Sequence, residues 1–393
     1  MRRIIIAIGL EAYAVALALL QSLGHIRTDE AKYLLSIPYP HPPLIRGILS
    51  LTDSWEIQEI LWRIVFATLV VQAVWLAWDL SRNLRTEARL TLCAAYLLCG
   101  AVVFQAGSIM MAPLTGLQGL LLVWLYRRGL IRSSASVGWL ALLWLASLFT
   151  AYQALLYFPL VSSLLRRSRA PYWQQFLVLI VPPALAFLYA LSNPLILASF
   201  LNAGTDNAAV PFVQIVTGVL ETWLIGGSVV LTMAGIFGMI RGRQLAVIGS
   251  FVLLTLYVSL SLHHYYAILF TPLFLVGSLP LLEQARRPAL LAIGTALGTL
   301  LLWSQFHPTL EPDPTRAVLQ ELRPSLQGRG LLLIAGPFGH DWQYESPLPV
   351  AAYDERLLAR AAVIVCTQKC PEVNPDKSLW QLTRREPRVW VRK

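Results

Sequence analysis

The sequence predicts a polytopic, all-α membrane protein of about eleven spanning helices with a small α/β domain at its C-terminal end, and three observations predict it. Of 393 residues, 56% are hydrophobic and only 13% are charged. Mean hydropathy is +0.61, which a soluble chain of this length would carry only with large exposed apolar patches. Apolar runs recur at about 4–23, 57–78, 90–107, 111–126, 137–151, 152–165, 173–192, 212–239, 244–262, 265–282 and 289–305, each near or somewhat below the ~20 residues that cross a bilayer. From about Phe306 the composition changes: Glu311, Asp313, Arg316, Glu321 and Arg323 come in quick succession and no further run follows. The expected domains are 1–305, a membrane domain carrying an outer loop at 24–58, and 306–393, a small domain outside the membrane.

The elements follow in order. Arg2 and Arg3 before an apolar run resemble a signal peptide, but the run is long, carries Glu11 and leads directly into further spans, so an uncleaved first helix is expected. Glu11 is read as facing neighbouring helices. The stretch Thr28–Pro43 (TDEAKYLLSIPYPHPP) then concentrates carboxylates, a lysine, tyrosines, a histidine and prolines beside a span. Thr28 is expected to cap a short helix with Asp29 and Glu30 in its first turn. Ile37, before Pro38, is expected to be extended, and Pro43 to open a second helix, Leu44–Leu51. Leu44, Ile45, Ile48 and Leu49 share one face of that helix with Arg46 off it, so it should lie flat on the membrane surface.

Asp53 and Glu56 are expected to form a capping box for the second span, with Trp55 as an interfacial anchor. Arg63, about two turns inside that span, needs an anion: either a carboxylate such as Asp29, Glu56 or Glu59, or a bound one. Cys93 and Cys99 read as packing residues of the third span. Asp79 and Glu87 are expected to balance the arginines of their loop, and Gly107–Pro113 forms a short uncharged turn. The loop Asn193–Pro211, with Asn202, Asp206 and Asn207, reads as a lid or packing loop. Glu221 is either a buried structural acid or part of a polar cavity. His263, His264, Tyr265 and Tyr266 gather between the ninth and tenth spans as interfacial hydrogen-bonding groups or site candidates.

In the C-terminal part, Leu331–Ala335, Val363–Cys366 and Val389–Val391 read as strands and Asp354–Ala362 as a helix. The GPFGHDW stretch reads as a turn cluster, and there is no Gly-rich phosphate loop. Cys366 and Cys370 are expected to form a local disulfide in an oxidising compartment.

The net charge of +10 marks topology and gives no reason to expect a nucleic-acid partner. Arginines crowd alternate connections: 82, 85 and 89; 127, 128 and 132; 166, 167 and 169; 241 and 243; 286 and 287. The intervening ones, around Ser108, Asn193–Pro211 and His263, have neither lysine nor arginine. The positive-inside rule then places the N-terminus in the cytoplasm, and the 28–56 loop and C-terminal domain in the periplasm or outside the cell. The preference for arginine over lysine fits a GC-rich prokaryotic genome, and the expected location is a prokaryotic inner (plasma) membrane.

DEAKYLL, a short spacer, YPHPPL and then LWR at the head of the next span together resemble the first outer loop of the GT-C membrane glycosyltransferases. The likeness is to the branch holding the protein O-mannosyltransferases and the lipid A aminoarabinose transferases. It is specific over 28–63 and extends through the general layout to the rest of the chain. The resemblance implies an inverting transferase that takes a sugar from a polyprenyl-phosphate donor in the membrane lipid to a lipid, glycan or protein acceptor on the outer face. It makes Asp29 the catalytic carboxylate with Glu30 its neighbour, His41 the histidine of the HPP segment and Arg63 the second-span arginine. Two positions depart from the pattern. Pro40 stands where the family has an aspartate before HPP, and MMAPL puts Met111 in place of a second acid. A bridging Mg²⁺ or Mn²⁺ is compatible with the family, but without that acid no essential metal is expected.

The chemistry gives its own reason for such a set. A phosphate leaves as a stable anion, so one base for the acceptor's proton is enough, whereas a glycosidase needs a second, protonated carboxyl. The leaving phosphate needs preorganised positive charge, for which Lys32, Arg46, Arg63, His263 and His264 are the outward candidates. Tyr33, His41, Tyr265, Tyr266 and Glu221 are candidate lining residues. Lys32 is one turn beyond Asp29 on the same face, where it can pair with that carboxylate. Two other readings stay open: a transporter or flippase of lipid-linked saccharides, which would favour inverted repeats, and an inactive relative serving as an assembly partner.

Overall fold

The computed structural model describes the chain apart from residues 1, 24–25, 38–39, 56, 199–209, 307–317, 320, 323, 325–329, 337–338, 368–369, 371–372, 374 and 386. Glu56, Asn202, Asp206, Asn207, Glu311, Asp313, Arg316 and Arg323 therefore lie outside the described residues. The chain divides into two compact units, 1–21 with 38–309 and 22–37 with 310–393. The acidic segment after the first helix thus packs with the C-terminal domain.

All eleven apolar runs are helical. In chain order the helices are α1 (Arg2–Leu23), α2 (Thr28–Leu34), α3 (Leu44–Leu49), α4 (Gln58–Gln72), α5 (Val74–Leu80), α6 (Thr86–Leu98), α7 (Gly100–Gln105) and α8 (Met111–Arg128). They continue as α9 (Ser134–Thr150), α10 (Phe158–Arg166), α11 (Tyr172–Ser192), α12 (Phe212–Arg241), α13 (Leu245–Leu260), α14 (Ala267–Gln284), α15 (Ala289–Phe306) and α16 (His340–Glu345). Among the described residues five helical stretches are long and apolar enough to cross a membrane: Ile4–Leu23, Gln58–Leu80, Tyr172–Ser192, Phe212–Arg241 and His264–Gln284. The block 137–165 breaks at Ala151, which is extended and leads into a 3-10 turn, Tyr152–Tyr157.

α14 is buried along nearly its whole length, as expected of a helix that is apolar all round. It meets α12 backbone to backbone: a Cβ on Gly238 would fall on the Gly277 carbonyl oxygen, and one on Gly277 on the Gly235 carbonyl oxygen. Small residues allow this approach where lipid supplies no hydrophobic drive. α12 breaks at Ser228 (φ 55°, ψ 179°). The Gly226 carbonyl there accepts from Thr271 Oγ1 at 2.7 Å, and Ser228 Oγ lies 2.7 Å from Thr299 Oγ1. Thr299 donates in turn to the Leu98 carbonyl at 2.7 Å, beside the second break, the extended Cys99 between α6 and α7. Hydroxyls thus satisfy backbone that no water would reach.

The arginine-rich turns come together at one end of this unit. Arg128 pairs with Asp79 at 3.2 Å, Arg169 N–H donates to the Arg132 carbonyl at 3.0 Å, and Arg85 donates to the Ala285 carbonyl at 2.6 Å. Arg241 donates to Gln284. Asp79 therefore balances an arginine of the next arginine-rich turn, not one of its own loop. Glu11 is held across to α4, accepting from Thr68 Oγ1 at 2.6 Å and Gln72 Nε2 at 3.3 Å; it faces a neighbouring helix as its sequence suggests.

The other unit contains a five-stranded sheet, ordered β2-β1-β3-β5-β4, from β1 (Leu331–Ala335), β2 (Val350–Ala352), β3 (Ala361–Cys366), β4 (Trp380–Arg385) and β5 (Arg388–Arg392). β1 lies parallel to β2 and β3, while β5 is antiparallel to β3 and β4. Both faces of the centre are covered: Leu332, Ile334, Val363 and Val365 point to one cluster with Trp342, and Leu333, Ile364 and Cys366 to another with Trp380 and Trp390. That is why β1 and β3 read as unbroken apolar runs.

Several expectations change. Asp354–Ala362 is a 3-10 turn, Glu355–Arg360, opened by Asp354 accepting from Arg356 N–H at 2.9 Å; Ala361 instead pairs with Leu331 in the sheet. The turn cluster contains α16, which buries Asp341 and Trp342. Edge strands β2 and β4 are additional; β4 is mostly exposed and polar, so it has no apolar signature. The surface helix ends at Leu49 and continues as a 3-10 turn, Ser50–Thr52. α4 begins at Gln58 with no side-chain cap, and Asp53 accepts instead from the Gln58 side chain at 3.3 Å. The disulfide Cys366–Cys370 is present.

Candidate active site

The acidic helix α2 is fixed at both ends. Its N-cap is Arg27, not Thr28: the Glu30 carboxylate folds back to accept from Arg27 N–H at 3.1 Å. Thr28 Oγ1 donates to Asp341 Oδ1 at 3.1 Å, tying α2 to the start of α16. Gly339 permits that approach, because a Cβ there would run into Asp341 and Thr28. At the C-terminal end Ser36 is left-handed (φ 52°). Ile37 N–H donates to the Lys32 carbonyl at 2.9 Å and Ser36 N–H to that of Tyr33 at 3.2 Å. This is a Schellman closure; Pro38, which the extended Ile37 is expected to precede, lies outside the described residues.

The two neighbouring acids differ sharply in environment. Glu30 is 1% exposed and serves the helix start. The Asp29 side chain is 27% exposed and pairs with Lys32 Nζ at 3.2 Å, Lys32 being 19% exposed. Tyr33 is buried.

The remaining candidates belong to the membrane unit. Arg63 is 2% exposed, and its Nε lies 2.9 Å from Glu59 Oε1, one turn before it. Its Nη1 donates to the Gly107 carbonyl at 3.3 Å, and Glu59, one of the carboxylates considered, is an anionic partner. Arg46 is half-buried on α3. His41 is half-buried in the bend before α3, and Met111 is buried at the start of α8.

His263 stacks on Tyr265 with centroids 5.1 Å apart. His264 Nε2 is 3.7 Å from Glu221 Oε2, and the His264 carbonyl accepts from Gln105 at 2.8 Å. The Tyr266 hydroxyl is a meeting point, 2.9 Å from that of Tyr257, 3.1 Å from Gln153 Nε2 and 3.2 Å from that of Tyr265. Gln153 and Tyr257 escaped the sequence reading. Each is a polar group within an apolar run, which is the signal that could have found them. Among the described residues no three His, Cys, Asp or Glu side chains form a group able to hold a metal ion.

No protein-family model matches the sequence, and no curated protein does. Solved structures do. ArnT from Cupriavidus metallidurans in the apo state superposes with a TM-score of 0.62 over 100% of this chain and 98% of that one, at 13% identity. The structure of ArnT bound to undecaprenyl phosphate gives 0.60 over 98% and 97%, at 14% identity. The chain has the fold of ArnT. The likeness to ArnT runs through the helical part and the sheet domain alike, since it covers nearly every residue of both chains.

Proposed function

We propose that this protein is an inverting glycosyltransferase of the GT-C class, moving a sugar from a polyprenyl-phosphate donor to a lipid, glycan or protein acceptor on the outer face of a prokaryotic inner membrane. The observation that carries the proposal is the whole-chain likeness to ArnT, one structure of which holds undecaprenyl phosphate. In this reading all eleven apolar runs span the bilayer, the arginine-rich end is cytoplasmic and the sheet domain is periplasmic or extracellular.

The acceptor's nucleophilic atom bonds to the anomeric carbon from the side opposite the phosphate. The carbon–oxygen bond to the phosphate breaks, the lipid phosphate takes the electron pair, and Asp29 takes the acceptor's proton. A half-exposed carboxylate held by a lysine suits that task better than the buried Glu30, which supports the helix. Lys32, Arg46, Arg63 and the two histidines are assigned to the leaving phosphate by charge. No essential divalent cation is proposed, because Met111 replaces an acid.

Purified protein given polyprenyl-phosphate sugars and candidate acceptors should transfer sugar with or without a chelator. Asp29→Asn should slow transfer by about 100-fold or more. Transfer that survives the substitution removes Asp29 as the base. A transport reading draws on the two broken helices at Cys99 and Ser228; movement of lipid-linked sugar across liposomes without transfer would favour it.

A further inference from the structure

The arginine-rich end is uneven. Between Glu87 and Asp206 the sequence contains no aspartate or glutamate, yet the turns α8–α9 and α10–α11 fall in that interval. Asp79 is held by Arg128 at 3.2 Å and by Trp124 Nε1 at 2.7 Å. Arg127, Arg132, Arg166, Arg167 and Arg169 are exposed, and none forms an ion pair with a carboxylate among the described residues. Arg169 N–H to the Arg132 carbonyl joins the two turns. Arg132 Nε is oriented by the Gly129 carbonyl at 2.7 Å, and Arg167 lies 4.3 Å above the Tyr126 ring with its Nη2 on the hydroxyl at 3.1 Å.

An apolar wall begins at the same corner. α9 and α11 both start there and run side by side, Phe149 and Tyr189 still meeting at 5.8 Å near their far ends. Trp139, Leu142 and Phe176 face outward along them, and Tyr172 and Trp173 sit exposed where arginines give way to apolar surface. Aromatic rings with one wet edge favour that level of a bilayer.

We propose that this corner is a binding site for an anionic phospholipid, its phosphate held by Arg132, Arg167 and Arg169 and its chains lying along α9 and α11. Guanidinium groups match phosphate oxygens in pairs. A free phosphate would use only the charged half of the surface. The proposal does not depend on the transferase reading, because it concerns the opposite end of the helices from the outer turns.

The test uses the full chain in detergent micelles with an equal mixture of phosphatidylglycerol and phosphatidylcholine, the lipid retained being read by native mass spectrometry. Wild type should retain phosphatidylglycerol about tenfold over phosphatidylcholine, since basic side chains at the surface each favour anionic lipid. The triple variant Arg132→Ala, Arg167→Ala, Arg169→Ala should lose the preference. A control triple elsewhere on the same end, Arg243→Ala, Arg286→Ala, Arg287→Ala, should keep it. In wild type alone, high salt should remove the preference by screening, a result that needs no variant to fold. Absence of preference in wild type, equal loss in both triples, indifference to salt, or displacement of the lipid by inorganic phosphate would each overturn the site.

Discussion

Asp29 and Glu30 are adjacent in sequence and end in opposite situations, because successive helical side chains point about 100° apart. Glu30 turns into the packed side and closes on Arg27 N–H, while Asp29 stays at the surface with Lys32. The buried charge that most needs its partner is Arg63. Glu59→Gln would remove the carboxylate 2.9 Å from a guanidinium that is 2% exposed, and breaking such a pair costs about 3 kcal/mol. The melting temperature of the detergent-solubilised variant should therefore fall clearly below that of wild type. An unchanged value would show that another anion balances Arg63.

At the level of elements, α2 is too short to be stable alone, so its ends matter. Ser36 occupies the left-handed position that closes the helix, a conformation costing an L-residue about 1–2 kcal/mol. Ser36→Gly should relieve this strain, giving a net gain of about 0.5 kcal/mol after allowing for the greater freedom of unfolded glycine. Amide hydrogen exchange over 28–37 should slow correspondingly; faster exchange would mean that the serine side chain contributes more than its backbone strain costs. The same distinction between local and distant causes explains the sheet. β1 and β3 announce themselves by composition, whereas Ala361, a good helix former, becomes strand because Leu331 of β1 offers a pairing partner.

For the whole molecule, the gathering of arginine-rich turns at one end makes a topological prediction. Ser134, at the start of α9, and Ser192, at the end of α11, are both exposed and mark opposite ends of parallel helices. In intact cells an impermeant maleimide should label Ser192→Cys, and Ser134→Cys only after permeabilisation. The reverse pattern would invert the proposed orientation and move the outer turns to the cytoplasm.

The sequence by itself determined where the long apolar runs lie, the break at Ala151, the disulfide, the alternation of arginine and the GT-C likeness. These depend on apolar length, near-neighbour spacing and charge, which are properties of short stretches. Only tertiary structure decided that Glu59 serves Arg63, that Gln153 and Tyr257 join Tyr266, and that residues 22–37 pack with the C-terminal domain. Those outcomes join segments that local pattern does not relate, or choose among partners of equal charge. Burial and hydrogen-bond satisfaction settle such choices only once the chain is folded.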